Sequence, residues 1–318
     1  MYRTMIVPLD GSEYSERALT TATTLARATG AQLVLVRVVS APVPHGADAP
    51  KVQVEAVHEA EAYLTYLTKQ LSGNDIRVEM AVPFMSAPEG ILLEIDQRHA
   101  DLVVMCTHGR SGLGRWIYGS VAEKVLAHSP VPILLVKPTG LVGPLLLGAS
   151  QAPLLVPLDG SSYAEAALPH ALDLSRALDR ELRLLRVVVP PMIPVLAPTP
   201  SGAIPIQAEE MVVEEEQQIA KDYLAKLVER LKGESRGVKS EVRLGWPAEE
   251  IQEESKATGA GMIVMATHGH TGLKSMILGS VALEMVHRRS LPLFLVRPAE
   301  LAKTDHEAIP NTTAGGVG

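Results

Sequence analysis

The chain carries one stretch of text twice, and a duplication constrains the fold more than any single motif. Val-Pro-Leu-Asp-Gly-Ser begins at Val7 and again at Val156, 149 residues on. Leu35-Val36-Arg37-Val38-Val39 is answered at the same offset by Leu184-Leu185-Arg186-Val187-Val188. Thr107-His108-Gly109 returns as Thr267-His268-Gly269, now 160 residues on, so the second copy has gained 11 residues between these landmarks. The proline-rich stretch from Pro190 to Pro205 is where the insertion is expected. From Thr107 to Pro138 against Thr267 to Pro298, 14 of 32 positions are identical. Each copy is therefore a unit of ordinary domain size. The boundaries read as a first domain over 1–140, a linker over 141–152, a second domain over 153–300 and a disordered tail over 301–318.

Within a copy, strand and helix signals alternate. Met5 to Leu9 is a short apolar run, read as a buried strand. Ser12 or Ser15 caps a helix with an apolar face through Ala18, Leu19, Ala22, Leu25 and Ala26, and Gly30 ends it. Leu33 to Val39 reads as the second strand. Val54, Val57, Leu64, Leu67 and Leu71 mark a second helix. Ile76 to Val82 alternates as a third strand, and Pro88 opens a third helix with Ile91, Leu92 and Ile95 inward. Leu102 to Cys106 is the fourth strand, Ser120 to His128 the fourth helix, Ile133 to Val136 the fifth strand. The second copy repeats the pattern with strands at Leu154–Leu158, Leu182–Val188, Lys239–Leu244, Met262–Ala266 and Leu293–Val296. Strand–helix alternation implies parallel strands with right-handed crossovers. Continuous apolar strands such as LVVM and MIVM imply a sheet covered on both faces. The fold class is α/β: two tandem, doubly wound parallel-sheet domains.

Composition narrows the function. With 47% hydrophobic and 20% charged residues, the chain has material for packed cores. A net charge of −7 argues against an extended nucleic-acid surface. The single cysteine, Cys106, excludes an intrachain disulfide and a cysteine-based zinc site, and fits a cytoplasmic location. MYRTMIVPLDGS holds only a short apolar run, so no secretory leader is expected. The apolar stretch Leu141 to Leu158 is broken by Gly and Pro, so no membrane span is expected there.

The constellation with most chemistry follows strand four. Copy one reads Cys106-Thr-His-Gly109, nine residues, then Gly119-Ser120-Val121; copy two reads Ala266-Thr-His-Gly269, nine residues, then Gly279-Ser280-Val281. A strand, a glycine-bearing loop and a helix opening at Gly-Ser form an anion site. Glycine lets the backbone approach oxygens, and the helix start offers unpaired N–H groups with a favourable dipole. The pattern is neither Walker nor G-x-G-x-x-G. The plainer alternative is a pair of tight turns with a serine at each helix start. Asp10 and Asp159 end strand one, where doubly wound sheets bind ligands. An Asp there can hold a ribose hydroxyl, an adenine edge or a hydrated Mg2+, or can simply close an Asx-turn. Val38 and Val187 can supply backbone groups to an adenine edge, or can be core. His108 and His268 lie in the loops and can contact phosphate or be solvated; Arg110 and His270 point to a phosphate-side charge, with Arg110 the better partner. Cys106 reads as an inert buried thiol. Glu214-Glu215-Glu216 and Glu249-Glu250 read as solvated helix faces, and Trp116 and Trp246 as unremarkable. No Ser/His/Asp order or paired carboxylates stand out, so no catalytic residue is assigned.

These residues resemble the universal stress protein family in its tandem-domain form. The resemblance rests on V-P-L-D-G-S, on T-H-G-(nine)-G-S-V-A, and on the closing P-V-P-I-L-L-V-K and L-P-L-F-L-V-R segments, and spans nearly the whole chain. It implies five-stranded parallel sheets of order 3-2-1-4-5, adenine nucleotide α-hydrolase-like, with the two domains paired dimer-fashion through their fifth strands. It also implies ATP (or ADP or AMP) in some members. The nucleotide-binding members carry Gly, two residues, Gly, nine residues, Gly, then Ser or Thr. Here the last two glycines are Gly109 and Gly119, with Ser120, and Gly269 and Gly279, with Ser280. Cys106 and Ala266 replace the first. By the same resemblance the nucleotide pocket comprises Pro8, Leu9, Asp10, Val38, Met105, Arg110 and Val121 around the first loop. Around the second it comprises Pro157, Leu158, Asp159, Val187, Met265, His270 and Val281. Mg2+ would come with ATP, near Asp10 and Asp159.

The functional expectation is an ATP-binding stress-response module in the cytoplasm, acting as a sensor through protein partners, as an internal domain pair or as a homodimer of such pairs. An ATP-independent interaction scaffold and a slow ATPase are the alternatives. Copy one keeps Arg110 and is expected to bind at least as well as copy two.

Overall fold

The computed structural model describes residues 1–40, 48–71, 76–106, 119–136, 152–191, 206–269, 278–288 and 291–298. The expected tail, nearly all of the linker and most of the proline-rich insertion fall outside them.

The first half runs β1 (Thr4–Pro8), α1 (Glu13–Thr29), β2 (Gln32–Val36), α2 (Ala49–Leu71), β3 (Val78–Ala81), α3 (Ala87–Gln97), β4 (Leu102–Cys106), α4 (Ser120–His128) and β5 (Ile133–Val136). The second begins with β6 (Leu154–Leu158), the one-turn α5 (Ser162–Glu165), α6 (Ala167–Leu178) and β7 (Leu182–Val188). It continues through α7 (Ile206–Arg230), β8 (Val238–Leu244), α8 (Pro247–Thr258), β9 (Met262–Ala266), α9 (Ser280–Arg288) and β10 (Leu293–Val296).

The strands form one ten-stranded sheet of order β3-β2-β1-β4-β5-β10-β9-β6-β7-β8. Each half has the expected order 3-2-1-4-5 with parallel pairing. The halves meet at β5 and β10, which pair antiparallel with Phe294 opposite Leu134. Joining the two fifth strands removes two sheet edges that would otherwise invite aggregation.

Local chemistry sets the element ends. Ser12 caps α1, its Oγ accepting from the Ser15 amide, and Gly30 closes it at φ 71°. Ser161 caps α5 in the same way through the Ala164 amide. Asp179, at φ 50°, ends α6 where the first half uses Gly30; a short polar side chain tolerates that conformation. Pro88 and Pro247 sit in the opening turns of α3 and α8, where a missing N–H costs nothing.

Alternate residues of each strand feed two cores. Met5, Val7, Leu33 and Leu35 face α1 and α2, while Ile6, Val34 and Val36 face α3 and α4. Both cores run through the seam into the second half, where Phe294 is fully buried. Polar contacts pin the seam. The Met1 amino group lies 2.9 Å from Asp173, Tyr2 Oη pairs with His170 Nδ1 at 2.9 Å, and Arg297 donates to the Ala127 carbonyl at 2.9 Å.

Three expectations change. Regular pairing of β2 stops at Val36, not Val39, because β1 ends at Pro8 and leaves nothing to pair on that side. Val39 keeps only the β3-side contact, a single bridge to Phe84. β3 is shorter than 76–82. Val54 is 52% exposed, since the first turns of α2 overhang the ends of the strands instead of covering the sheet.

Candidate nucleotide clefts

Strand order reverses between β1 and β4 in the first half and between β6 and β9 in the second. At such a point the crossovers leave in opposite directions and open a crevice beyond the strand ends. Each half has one there, of about 520 Å³ in the first and about 450 Å³ in the second, a size typical of small-molecule sites.

Pro8, Leu9, Asp10, Val38, Met105, Gly119, Ser120 and Val121 all line the first cleft. Pro157, Leu158, Asp159, Val187, Met265, Gly269, Gly279, Ser280 and Val281 line the second. The chemistry named from sequence is thus gathered twice. Gly109, Arg110 and His270 lie outside the described residues, as do Thr107, His108 and Trp116. Cys106 and Ala266 are buried at the ends of β4 and β9, on the walls of their clefts.

The aspartates adopt one geometry in both halves. Asp10 Oδ1 accepts from the Ser12 amide at 3.0 Å and the Ser12 hydroxyl at 2.6 Å. Asp159 Oδ1 accepts from Ser161 at 2.9 and 2.6 Å. The Asx-turn is therefore present, and it fixes each carboxylate at the cleft wall. Across the second cleft, a Cβ added to Gly269 would lie 2.1 Å from Asp159 Oδ2. Any side chain there would have to displace the strand-one carboxylate, so glycine is what lets the two approach as they do.

The helix starts also agree. The first intrahelical bonds run from Glu123 to the Gly119 carbonyl at 3.0 Å and from Leu283 to the Gly279 carbonyl at 2.9 Å. Ser120, Val121 and Ala122, like Ser280, Val281 and Ala282, belong to the first helical turn, whose amides lie outside the helix's own hydrogen-bond ladder. Ser120 and Ser280 are the first helical residues, with Gly119 at the N-cap of α4 and no side-chain cap there. In the second half the Gly279 amide donates to the Thr267 carbonyl at 2.7 Å, so that N–H serves the loop.

Val38 presents its backbone to the first cleft. Its neighbours Arg37 and Val39 donate to Ala81 and Pro83 on the β3 side, and Val36 accepts from Leu9 on the β1 side. Alternation then directs the Val38 N–H and C=O toward the β1 side, beyond the end of that strand.

One cluster was not singled out from sequence. Arg37 and Arg186 line the clefts, each with its guanidinium over a tyrosine of the overhanging helix: Tyr63 at 4.8 Å and Tyr223 at 5.2 Å from the ring centroid. Tyr63 donates to Glu16 at 2.8 Å and Tyr223 to Glu165 at 3.0 Å. Burial raises both phenol pKa values, and the paired glutamates raise them further, so both hydroxyls remain donors at neutral pH. The available signal was an arginine kept at the same place in both copies, at Arg37 and Arg186.

The remaining residues fall out variously. His268 is buried, with Nδ1 3.0 Å from Thr267 Oγ1. Trp246 is exposed at the N-cap of α8. Glu214, Glu215 and Glu216 are all exposed, as read, and Glu216 also lines the second cleft. Glu250 departs from a solvated face: it is half-buried and bonds Arg243 at 3.0 Å. Among the described residues no group of three or more His, Cys, Asp or Glu is placed to hold a metal, and no helix is long and apolar enough to cross a membrane.

Comparison with known proteins agrees with this architecture. The sequence profile described as the universal stress protein family matches residues 1–137 and again 152–297. A universal stress protein of Mycobacterium bovis is 26% identical over 300 residues, covering 92% of this chain and 96% of the relative. One from Methanocaldococcus jannaschii is 33% identical over 147 residues, 45% of this chain and 81% of the relative. The crystal structure of a universal stress protein from Archaeoglobus fulgidus superposes with a TM-score of 0.69 at 21% identity, covering 92% of this chain and 98% of that one. The duplicated strand-one turn, the paired clefts and the two profile matches lead to one conclusion: the chain belongs to the universal stress protein family, with two copies of the family's domain in tandem.

Proposed function

We propose that each half binds an adenine nucleotide, ATP or its hydrolysed forms, and that the protein is a cytoplasmic stress-response sensor whose occupancy is read by protein partners. The observation that carries this is the meeting, in both clefts, of a fixed strand-one carboxylate with the Gly-Ser start of a helix. The phosphates lie toward Ser120 and Ser280, where first-turn amides and the dipole favour anions. The adenine lies toward Val38 and Val187, and the sugar toward Asp10 and Asp159. Gly109, Arg110 and His270 complete the phosphate side. Each strand-one carboxylate already accepts two hydrogen bonds on Oδ1, so Mg2+ arrives with the triphosphate instead of residing on the protein. Binding, and not turnover, is the activity assigned, because among the described residues none stands out to position a water against the terminal phosphate. The domain limits 1–140 and 153–300 define the two binding units.

One observation favours an ATP-independent scaffold: the Gly279 amide is spent on Thr267. Mass spectrometry of the purified, denatured protein separates the two readings. Co-purified ATP, ADP or AMP, or an ATP-induced rise in melting temperature, supports the nucleotide reading. Absence of both leaves the scaffold.

A further inference from the structure

Each cleft carries an arginine on its strand-two wall. Arg37 and Arg186 are half-buried. Among the described residues neither guanidinium has a hydrogen-bonded or ion-pair partner; each only lies against a tyrosine face. A guanidinium has five N–H donors and no acceptor. Leaving them unmet in a cleft is costly unless water or a ligand meets them. The arrangement is held rigidly, because the tyrosine is tied to α1 or α5 through its glutamate. It is also retained in both halves, although the supporting helices have diverged. From Gln53 to Leu71 against Val213 to Leu231, the identical positions are Glu55, Ala60, Tyr63, Leu64, Leu67 and Leu71. Four of these are apolar residues packed in the core. Tyr63 is kept beside them with its hydroxyl and its arginine.

We propose that Arg37 and Arg186 select the ligand's sugar, donating to a ribose hydroxyl oxygen while the neighbouring Asp10 or Asp159 accepts from the diol. This rests on the nucleotide reading above and deepens it. Three placements support it. In the second half Leu158 is the register partner of Arg186, and a Cβ on Gly160 would meet Arg186 Nη1 at 2.9 Å, so the guanidinium lies against the Asp159-Gly160 turn. Donor and acceptor therefore flank one point, and a diol, whose oxygens both donate and accept, answers both. β1 lies between β2 and β4, so the end of β2 is two strand spacings, roughly 9–10 Å, from β4 and the helix that follows it. The guanidinium is moreover turned away from the helix start, lying over the tyrosine and, in the second half, against Gly160. The Val38 backbone already offers a donor and an acceptor to the base edge, which leaves the sugar to the arginine.

The test is calorimetric titration of the full chain with ATP, 2′-deoxy-ATP and 3′-deoxy-ATP, repeated on R37Q/R186Q. The unmodified protein should bind ATP about tenfold more tightly than at least one deoxy analogue, the scale of a hydrogen bond to a charged group. In R37Q/R186Q that ratio should fall to within about twofold, mainly through weaker ATP binding. The ratio is independent of how much variant protein is folded, so instability alone cannot produce the change. An unchanged ratio, or equal weakening toward all three nucleotides, overturns the sugar-selecting role while leaving nucleotide binding intact. No binding of ATP by the unmodified protein overturns the nucleotide reading itself, and the sugar-selecting role with it.

Discussion

The two halves share a fold and a cleft, but they bury the same carboxylate differently. Glu254 on α8 is 2% exposed and bonded by Arg183 Nε and Arg243 Nε, both at 2.8 Å. Glu94, its counterpart on α3, is 9% exposed and paired with Arg98 at 3.2 Å, one helical turn on. Val34 and Pro83 stand where the second half has Arg183 and Arg243. Support under the sheet has thus been rebuilt since the duplication. At the clefts, the aspartate–serine clasp and the arginine–tyrosine–glutamate cluster match atom for atom in kind. Positions that only have to pack or pair could change together, whereas the clasp and the cluster stayed.

The comparison can be broken most strongly at the buried carboxylates. Glu254→Ala removes the carboxylate that two arginines share, leaving Arg243 with Glu250 at 3.0 Å and Arg183 with Glu241 at 3.8 Å, and should cost about 2–3 kcal/mol, the scale of hydrogen bonds to a charged group. Glu94→Ala faces one partly exposed arginine and should cost about 1 kcal/mol. Urea unfolding of both variants measures the gap; equal losses would mean the supports are equivalent. A second break acts on one cleft alone. Gly269→Val drives a side chain into Asp159 and should weaken ATP binding in the second half more than tenfold, reducing the apparent stoichiometry from two to one. A uniform loss at both sites would tie the clefts together in a way this account does not contain.

Smaller changes sharpen the likeness. Tyr63→Phe and Tyr223→Phe each remove one hydroxyl–carboxylate bond and should each cost about 1 kcal/mol, with nearly equal shifts in urea midpoint. A large inequality would show that the two clusters are alike only in appearance. The smallest effect concerns the seam, where His170 occupies the place of Thr21. Burial lowers the His170 pKa; Asp173 partly opposes this and the Met1 amino group adds to it. The unfolded chain therefore takes up this proton first, near pH 6.5, and stability falls as pH drops through that value. His170→Thr should flatten the decline in stability between pH 7 and pH 5. An unchanged slope would locate the proton uptake elsewhere.

Much of this was legible in the sequence because parallel strands covered on both faces read as short, continuous apolar runs. Leu102–Cys106 and Met262–Ala266 were placed to the residue for that reason. The end of β2 was not, because Val38 and Val39 are as apolar as the strand before them, and only the termination of β1 next door decides where pairing stops. Asp10, Gly119 and their counterparts were found because turn and helix-start chemistry is local. Arg37 with Tyr63 and Glu16 was missed because it joins three elements, and each member alone reads as an ordinary strand or helix residue. Glu254 was missed for the same reason: its two arginines come from β7 and β8, so nothing near it in sequence marks it as buried.

The most direct test is equilibrium dialysis of the extensively dialysed full-length protein against labelled ATP. The account predicts two ATP per chain at saturation, and none in G119V/G279V, whose sheet should remain folded by circular dichroism. No uptake by the unmodified protein at millimolar ATP, or undiminished uptake by the double variant, would contradict it.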